Sequence, residues 1–328
     1  MYVGVTVKLL LNMHDLNNER AEEIRRVPIL YRTKDGKWEV FEEAVAVSGL
    51  MIKRWHFTNM VELGVKENLA FCRLCRNLEA IRIPSEKKKA RSEIDIIKGC
   101  LGEDVHGFLR ADPMLRRESL IKFSWMLPLL NEEIIEKFGL PTPFRVVQHT
   151  RNIREISKEA AERRGINLEE LRRMQMPFPR SYAAGLYGFT SVLDLEHVGY
   201  SFTDQSSLIG SSERKKRRAV AIQAYVPMIT GACGASLARA LPVADILEII
   251  TVFSNKPIPA PIHPLYPEYV ERNRELYESV SNAMRSNILM YVWSKEETYE
   301  GSEEDLFKVS IVEKPVEGFA EILKQVKS

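Results

Sequence analysis

Three cysteines and a histidine carry the sharpest chemical signal in this chain. Cys72 and Cys75 are followed by Cys100 and His106 in the pattern C-x2-C-x24-C-x5-H. Four donors of this kind suit a tetrahedral structural zinc, and a loop-rich segment with little core benefits from such a staple. His56 competes with His106 for the fourth position, and free buried thiols are the alternative. A redox pair fits less well, because such pairs open a helix after a strand and that context is missing.

Anion binding is the second theme. Ser48-Gly49 stands at an expected helix start, with Lys53 and Arg54 close behind. Free amides and the helix dipole favour a phosphate there. Arg214-Lys215-Lys216-Arg217-Arg218 sets five cations at another helix start, where each opposes the dipole at about 0.3–1 kcal/mol when exposed. An anionic partner would explain that placement. Gly231–Arg239 follows this helix. Its two glycines let backbone approach a ligand, and Ser236 and Arg239 could bond phosphate oxygens. Gln148, His149, Arg151 and Asn152 cluster at a strand end, and Asn12, Asn17 and Asn18 lie at or just past another; these side chains suit backbone or base-edge contacts.

Motifs of catalysis are missing: the chain has no Walker A loop, no GxSxG and no HExxH. Asp104 and His106 could pair as acid and base, but no second acidic cluster accompanies them as a two-metal nuclease requires. Gly185-Leu186-Tyr187-Gly188-Phe189 matches only part of the aromatic pattern used for base stacking. Recognition of backbone and shape is the better expectation.

The 328 residues carry 47 Lys and Arg against 45 Asp and Glu, a net charge of +2. An anion site must therefore come from segregating charge onto one face. Hydrophobic residues at 45% and charged residues at 28% are an ordinary globular balance, enough for one large domain or two smaller ones. No apolar stretch is long enough to span a bilayer and nothing resembles an export signal. A cytoplasmic protein with reduced thiols and no membrane partner is expected.

The elements that must position these groups follow from periodicity. Val3, Val5, Val7, Leu9 and Leu11 alternate with Gly4, Thr6, Lys8 and Asn12, Leu10 being the one exception, which predicts a strand with one buried face. Val27–Tyr31 and Trp38–Val47 read as a hairpin around Lys34-Asp35-Gly36. A helix is expected from Ser48 to about Leu63, with Gly64 as its stop. Residues 64 to about 140 look irregular. Phe144–His149 and Ala183–Leu195 are strand-like, and Arg214–Thr230 reads as a helix that Pro227 kinks or ends. Asp245–Phe253 is an apolar β-rich run, and a charged helix is expected near Tyr269–Arg285. Without the long excursions, the order is strand, helix, strand, strand, helix, strand. That predicts an α/β protein with an RRM-like (ferredoxin-like βαββαβ) core.

Several segments, in this order, resemble one family. They are Leu10–Asn17, Val45–Gly49, Asp104–Phe108 with Arg116-Arg117, Gln148-His149, the basic helix, and Gly231–Arg239 leading into Leu241-Pro242. Spread over residues 4 to about 265, they are similar to the Cas seven proteins (the DevR or Csa two group) of type I-A CRISPR systems. The resemblance implies an RRM-like palm at residues 1–260, interrupted by a fingers insertion at 64–140 and a thumb at 154–182. Residues 261–328 would form a C-terminal extension on the palm. It implies a non-catalytic scaffold whose copies stack in a helical row along CRISPR guide RNA, with other Cascade subunits, meeting target DNA through the guide. Asn12, Asn17, Ser48, Lys53, Arg54, His149, Arg151, Arg214, Lys215, Arg218, Ser236 and Arg239 would then face RNA. Met174, Met176 and Phe178 would wedge against the strand from a thumb that is partly helical over Ile156–Met174. A guide-processing endoribonuclease of the Cas six type is the alternative, with histidine as general base.

Overall fold

The alternation that opens the chain becomes the middle of a sheet. The computed structural model describes residues 1–14, 16, 18–19, 23–33, 35–79, 92–110, 114–130, 135–136, 144–148, 158–163, 165, 167, 178–231 and 243–327. In β1 (Tyr2–His14), Val3, Val5, Val7, Leu9 and Leu11 are all fully buried on one face. β2 (Arg26–Arg32) and β3 (Trp38–Val45) form the expected hairpin, in which Gly36 takes a positive φ of 82°. α1 (Gly49–Lys66) starts where Ser48 predicts, but Gly64 does not stop it. A Cβ on Gly64 would lie 2.7 Å from the Phe71 ring, so this glycine admits an aromatic side chain instead.

The segment expected to be irregular contains short elements. α2 (Arg73–Arg76), α3 (Glu93–Gly99) and α4 (Leu101–His106) are followed by a hairpin of β4 (Phe108–Arg110) and β5 (Leu115–Arg117). β6 (Ile121–Phe123), β7 (Leu127–Pro128) and β8 (Phe144–Gln148) each pair with the long β9 (Phe178–Asp194). Of the helical thumb expected over 156–174, the described residues show one short helix, α5 (Lys158–Arg163). The basic run opens α6 (Ser211–Gln223), which breaks at Ala224 into α7 (Tyr225–Thr230). Pro227 explains the break, because it has no N–H for the carbonyl four residues back. β10 (Val243–Ser254), α8 (Tyr269–Met284), β11 (Ile288–Ser294), β12 (Ser302–Glu303), β13 (Phe307–Ile311) and α9 (Glu317–Lys327) complete the chain.

The large sheet runs β8-β9-β1-β10-β11-β13-β12, antiparallel except for the parallel pair β11 and β13. Ile52, Trp55 and Met60 of α1, Val220 and Ile222 of α6, and Phe319 and Ile322 of α9 share one core with a face of this sheet. On the other face, Val270 and Tyr277 of α8 pack with Ile250, Val252, Met290 and Val292. Prolines close the middle of that second face. An added Cβ on Gly188 would stand 2.7 Å from Pro264, and one on Gly4 would stand 3.0 Å from Pro261. The glycine–aromatic stretch in β9 therefore meets a proline strap there.

Candidate nucleic-acid interface and metal centre

Ser48 holds an extended backbone and its side chain accepts a hydrogen bond from the Met51 amide at 3.3 Å. Gly49 abuts the end of β6 so closely that a Cβ would lie 2.4 Å from the Phe123 carbonyl oxygen. Only glycine allows that approach. The first turn of α1 carries no acidic residue, so its positive end is not neutralised locally. Ser48, Gly49, Leu50, Lys53, Arg25, Lys122 and Trp125 border an open cavity of about 310 Å³ at this helix start. The Arg25 guanidinium lies over the Trp125 ring, 5.7 Å from its centroid.

Sequence reading missed Arg25, Lys122 and Trp125. Long-range pairing brings them here: Val47 and Met126 exchange two backbone hydrogen bonds of 3.0 and 2.9 Å, which sets Trp125 beside Ser48. Lys53 reaches across to donate to the His106 carbonyl at 3.2 Å while lining the cavity. Arg54 points elsewhere and donates to the Leu78 carbonyl.

Three of the five cations at the start of α6 are turned onto protein partners. Arg217 is fully buried, and its guanidinium meets Asp104 at 3.0 Å, Glu213 at 2.7 Å and the carbonyls of Ile97 and Lys98. Arg117 joins the same Asp104 at 2.8 Å, and the Gly199 amide donates to it as well. Arg218 donates to the Leu195 carbonyl at 2.7 Å, and Arg214 to the carbonyls of Val198 and Glu196. Both approach the Glu196 carboxylate. Lys215 and Lys216 are the exposed members of the run.

The cysteines do converge. The sulfurs of Cys72, Cys75 and Cys100 lie within 4.8 Å of one another, with Cys75 and Cys100 buried. The Cys75 amide donates to the Cys72 sulfur at 3.5 Å. Donation from the Cys100 and Cys75 thiols holds the Cys72 thiol well below its ordinary range. Hydrogen bonding within the cluster, together with burial, pushes the other two thiols up. Three such sulfurs can hold a metal ion.

His106 is not among the donors, and neither is its competitor His56. Both are buried, with His56 Nδ1 3.0 Å from His106 Nε2 and His56 Nε2 2.9 Å from the Ala221 carbonyl. A carbonyl only accepts, so Nε2 of His56 donates, its Nδ1 accepts, and His106 Nε2 is the donor of the pair. Burial keeps His56 neutral, with its pKa pulled down to about 4. His14 is similar: it is buried against the Tyr187 hydroxyl at 2.9 Å, with a pKa pulled by burial to about 3.

Of the other expected contacts, Asn12 is half-buried on β1 opposite Val243, and Phe178 opens β9 opposite Gln148. Asn17, His149, Arg151, Met174, Met176, Ser236 and Arg239 lie outside the described residues. Among the described residues, no helix is long and apolar enough to cross a membrane.

Fold and site together define a mixed α/β protein with a basic, aromatic-flanked cavity at a helix start and a separate three-cysteine centre. The chain belongs to the CRISPR-associated DevR/Csa2 family: the profile described as "CRISPR-associated negative auto-regulator DevR/Csa2" matches residues 5–274. A Methanocaldococcus jannaschii protein named "CRISPR-associated protein Cas7/Cst2/DevR" is 36% identical over 85% of this chain and 89% of its own length. A Saccharolobus solfataricus protein named "CRISPR-associated aCascade subunit Cas7/Csa2 2" is 22% identical over 80% of this chain and 82% of its own. A chain solved in a "CRISPR RNA-guided surveillance complex, pre-nicking" has a similar fold, with a TM-score of 0.52 at 11% identity over 99% of this chain and 100% of that one.

Proposed function

We propose that this chain is a non-catalytic scaffold whose copies line up along a CRISPR guide RNA as the backbone of a type I-A Cascade-like complex. The observation that carries this reading is the seat at the start of α1. Arg25, Lys53 and Lys122 surround a helix end without acids, and Trp125 offers a ring face. Such a site suits the phosphates of a single strand and one stacked base or sugar, with little regard for sequence. The family assignment and the relative described as an aCascade subunit support the same reading.

An RRM-like palm is part of the proposal. Its support is the antiparallel order β10-β1-β9 with β6 and β7 beyond, interleaved with α1 and α6 along the chain. Residues 64–140 would serve as fingers and 154–182 as a thumb carrying Met174, Met176 and Phe178. Asn17, His149, Arg151, Ser236 and Arg239 would add contacts to the guide. Leu30, Trp38 and Val40 support assembly. They share the exposed face of the β2–β3 hairpin, where Leu30 pairs with Val40 and Trp38 with Arg32.

Complex masses on single-stranded RNAs of increasing length test the scaffold. The number of bound copies should rise with RNA length, whereas one copy at every length would refute stacking. One observation favours the endoribonuclease alternative: half-buried His197 sits 2.6 Å from Asp194 through its Nδ1, an oriented pair. Repeat RNA incubated with the protein without metal separates the readings. The scaffold leaves the RNA intact, while cleavage at one position that is lost in His197→Ala would favour the enzyme.

A further inference from the structure

We propose that Cys72, Cys75, Cys100 and the Glu103 carboxylate bind one zinc ion, with Glu103 rather than a histidine as the fourth ligand. The geometry supports a built site. Tetrahedral zinc with Zn–S bonds of about 2.3 Å sets its sulfurs about 3.8 Å apart, so three sulfurs already within 4.8 Å need only a small closure. Gly102 makes the space, because a Cβ there would stand 2.9 Å from the Cys75 sulfur and 2.9 Å from the Phe57 ring. The Cys75 amide aimed at the Cys72 sulfur stabilises a thiolate.

Glu103 is the acid beside Cys72 at the edge of the three-sulfur cluster. It is 2% exposed, three residues after Cys100, and its carboxylate oxygen lies 3.7 Å from the Cys72 sulfur. Zinc would take the place of the thiol protons, with the carboxylate turning from the Cys72 sulfur onto the ion. Both histidines that spacing nominates are committed to each other and to Ala221.

The ion would also fix α4 at its beginning. α4 runs from Leu101 to His106, its Asp104 anchors Arg117 and Arg217, and its last carbonyl receives Lys53. The metal centre thus lies one short helix away from a cation of the cavity described above.

Elemental analysis of the full-length protein, purified without chelator, should give one zinc per chain. Replacement by Co2+ should produce sulfur-to-cobalt charge-transfer absorption and the strong d–d bands of a tetrahedral ion. Glu103→Gln should lower zinc affinity at least tenfold in a chelator competition and change the d–d bands while retaining the charge-transfer absorption. Absence of stoichiometric zinc, or octahedral cobalt bands without sulfur charge transfer, would overturn the site. Unchanged affinity and d–d bands in Glu103→Gln would overturn the role of Glu103. These readouts need no RNA, so their failure is distinct from failure of the scaffold reading.

Discussion

Two cationic helix starts in this molecule do opposite things. At α1, Lys53 lines an open cavity that Arg25 and Lys122 complete from other elements. At α6, a denser run of cations is drawn into the protein, and Arg217 becomes a fully buried clamp on Asp104. Arg214, Arg217 and Arg218 sit three and four positions apart, the spacing that shares one helix face, and that face points inward. Lys215 and Lys216 fall on the other. The density of a charge run therefore says little about its purpose, and the direction of each side chain decides it.

Acid should have the largest effect, on the core that the two helices share. His14 and His56 hold folded pKa values of about 3 and about 4 against an ordinary 6.5, so the unfolded chain takes up protons first as pH falls. Their stabilisation is complete above about pH 6.5 and drains away on acidification. At pH 4.5 the loss is on the order of 2–3 kcal/mol for each ring. Denaturant titrations between pH 7 and 4.5 should show this fall, and a flat profile would mean that these rings are not held neutral.

Replacing Asp104 is next in size. Asp104→Ala removes the buried carboxylate that Arg117 and Arg217 share, leaving them only Glu93 and Glu213 at the rim, a loss of about 3–5 kcal/mol. Equilibrium unfolding measures it. A neutral effect would imply that the arginines of α6 face outward. The smallest effect belongs to the exposed pair: Lys215→Ala with Lys216→Ala should change stability by less than about 0.5 kcal/mol. A large loss there would erase the contrast between the two sides of α6.

Local patterns in the sequence carried much of the framework. The alternation in β1, the Asp35-Gly36 turn, Ser48 at the start of α1 and the break near Pro227 all follow from backbone chemistry within a few residues. Gly64 shows the limit, because a glycine that ends a helix and one that admits Phe71 look alike in sequence. β11 was missed because a short continuous apolar run does not distinguish a strand from part of a buried helix. The cysteine cluster was visible in its spacing, but its histidine was not excluded until the His56–His106 pair placed both rings in the core. Arg25 and Trp125 are a hundred residues apart in sequence and meet only through tertiary pairing, so no local signal could have joined them.

The central claim is that the α1 cavity holds the RNA backbone, and salt dependence tests it directly. Affinity for single-stranded RNA should fall with added salt, with a log–log slope of about 0.7 per phosphate contact. Arg25→Ala, Lys53→Ala and Lys122→Ala together should weaken binding and reduce that slope by about 2, with the fold intact. An unchanged slope and affinity in the triple variant would contradict the account.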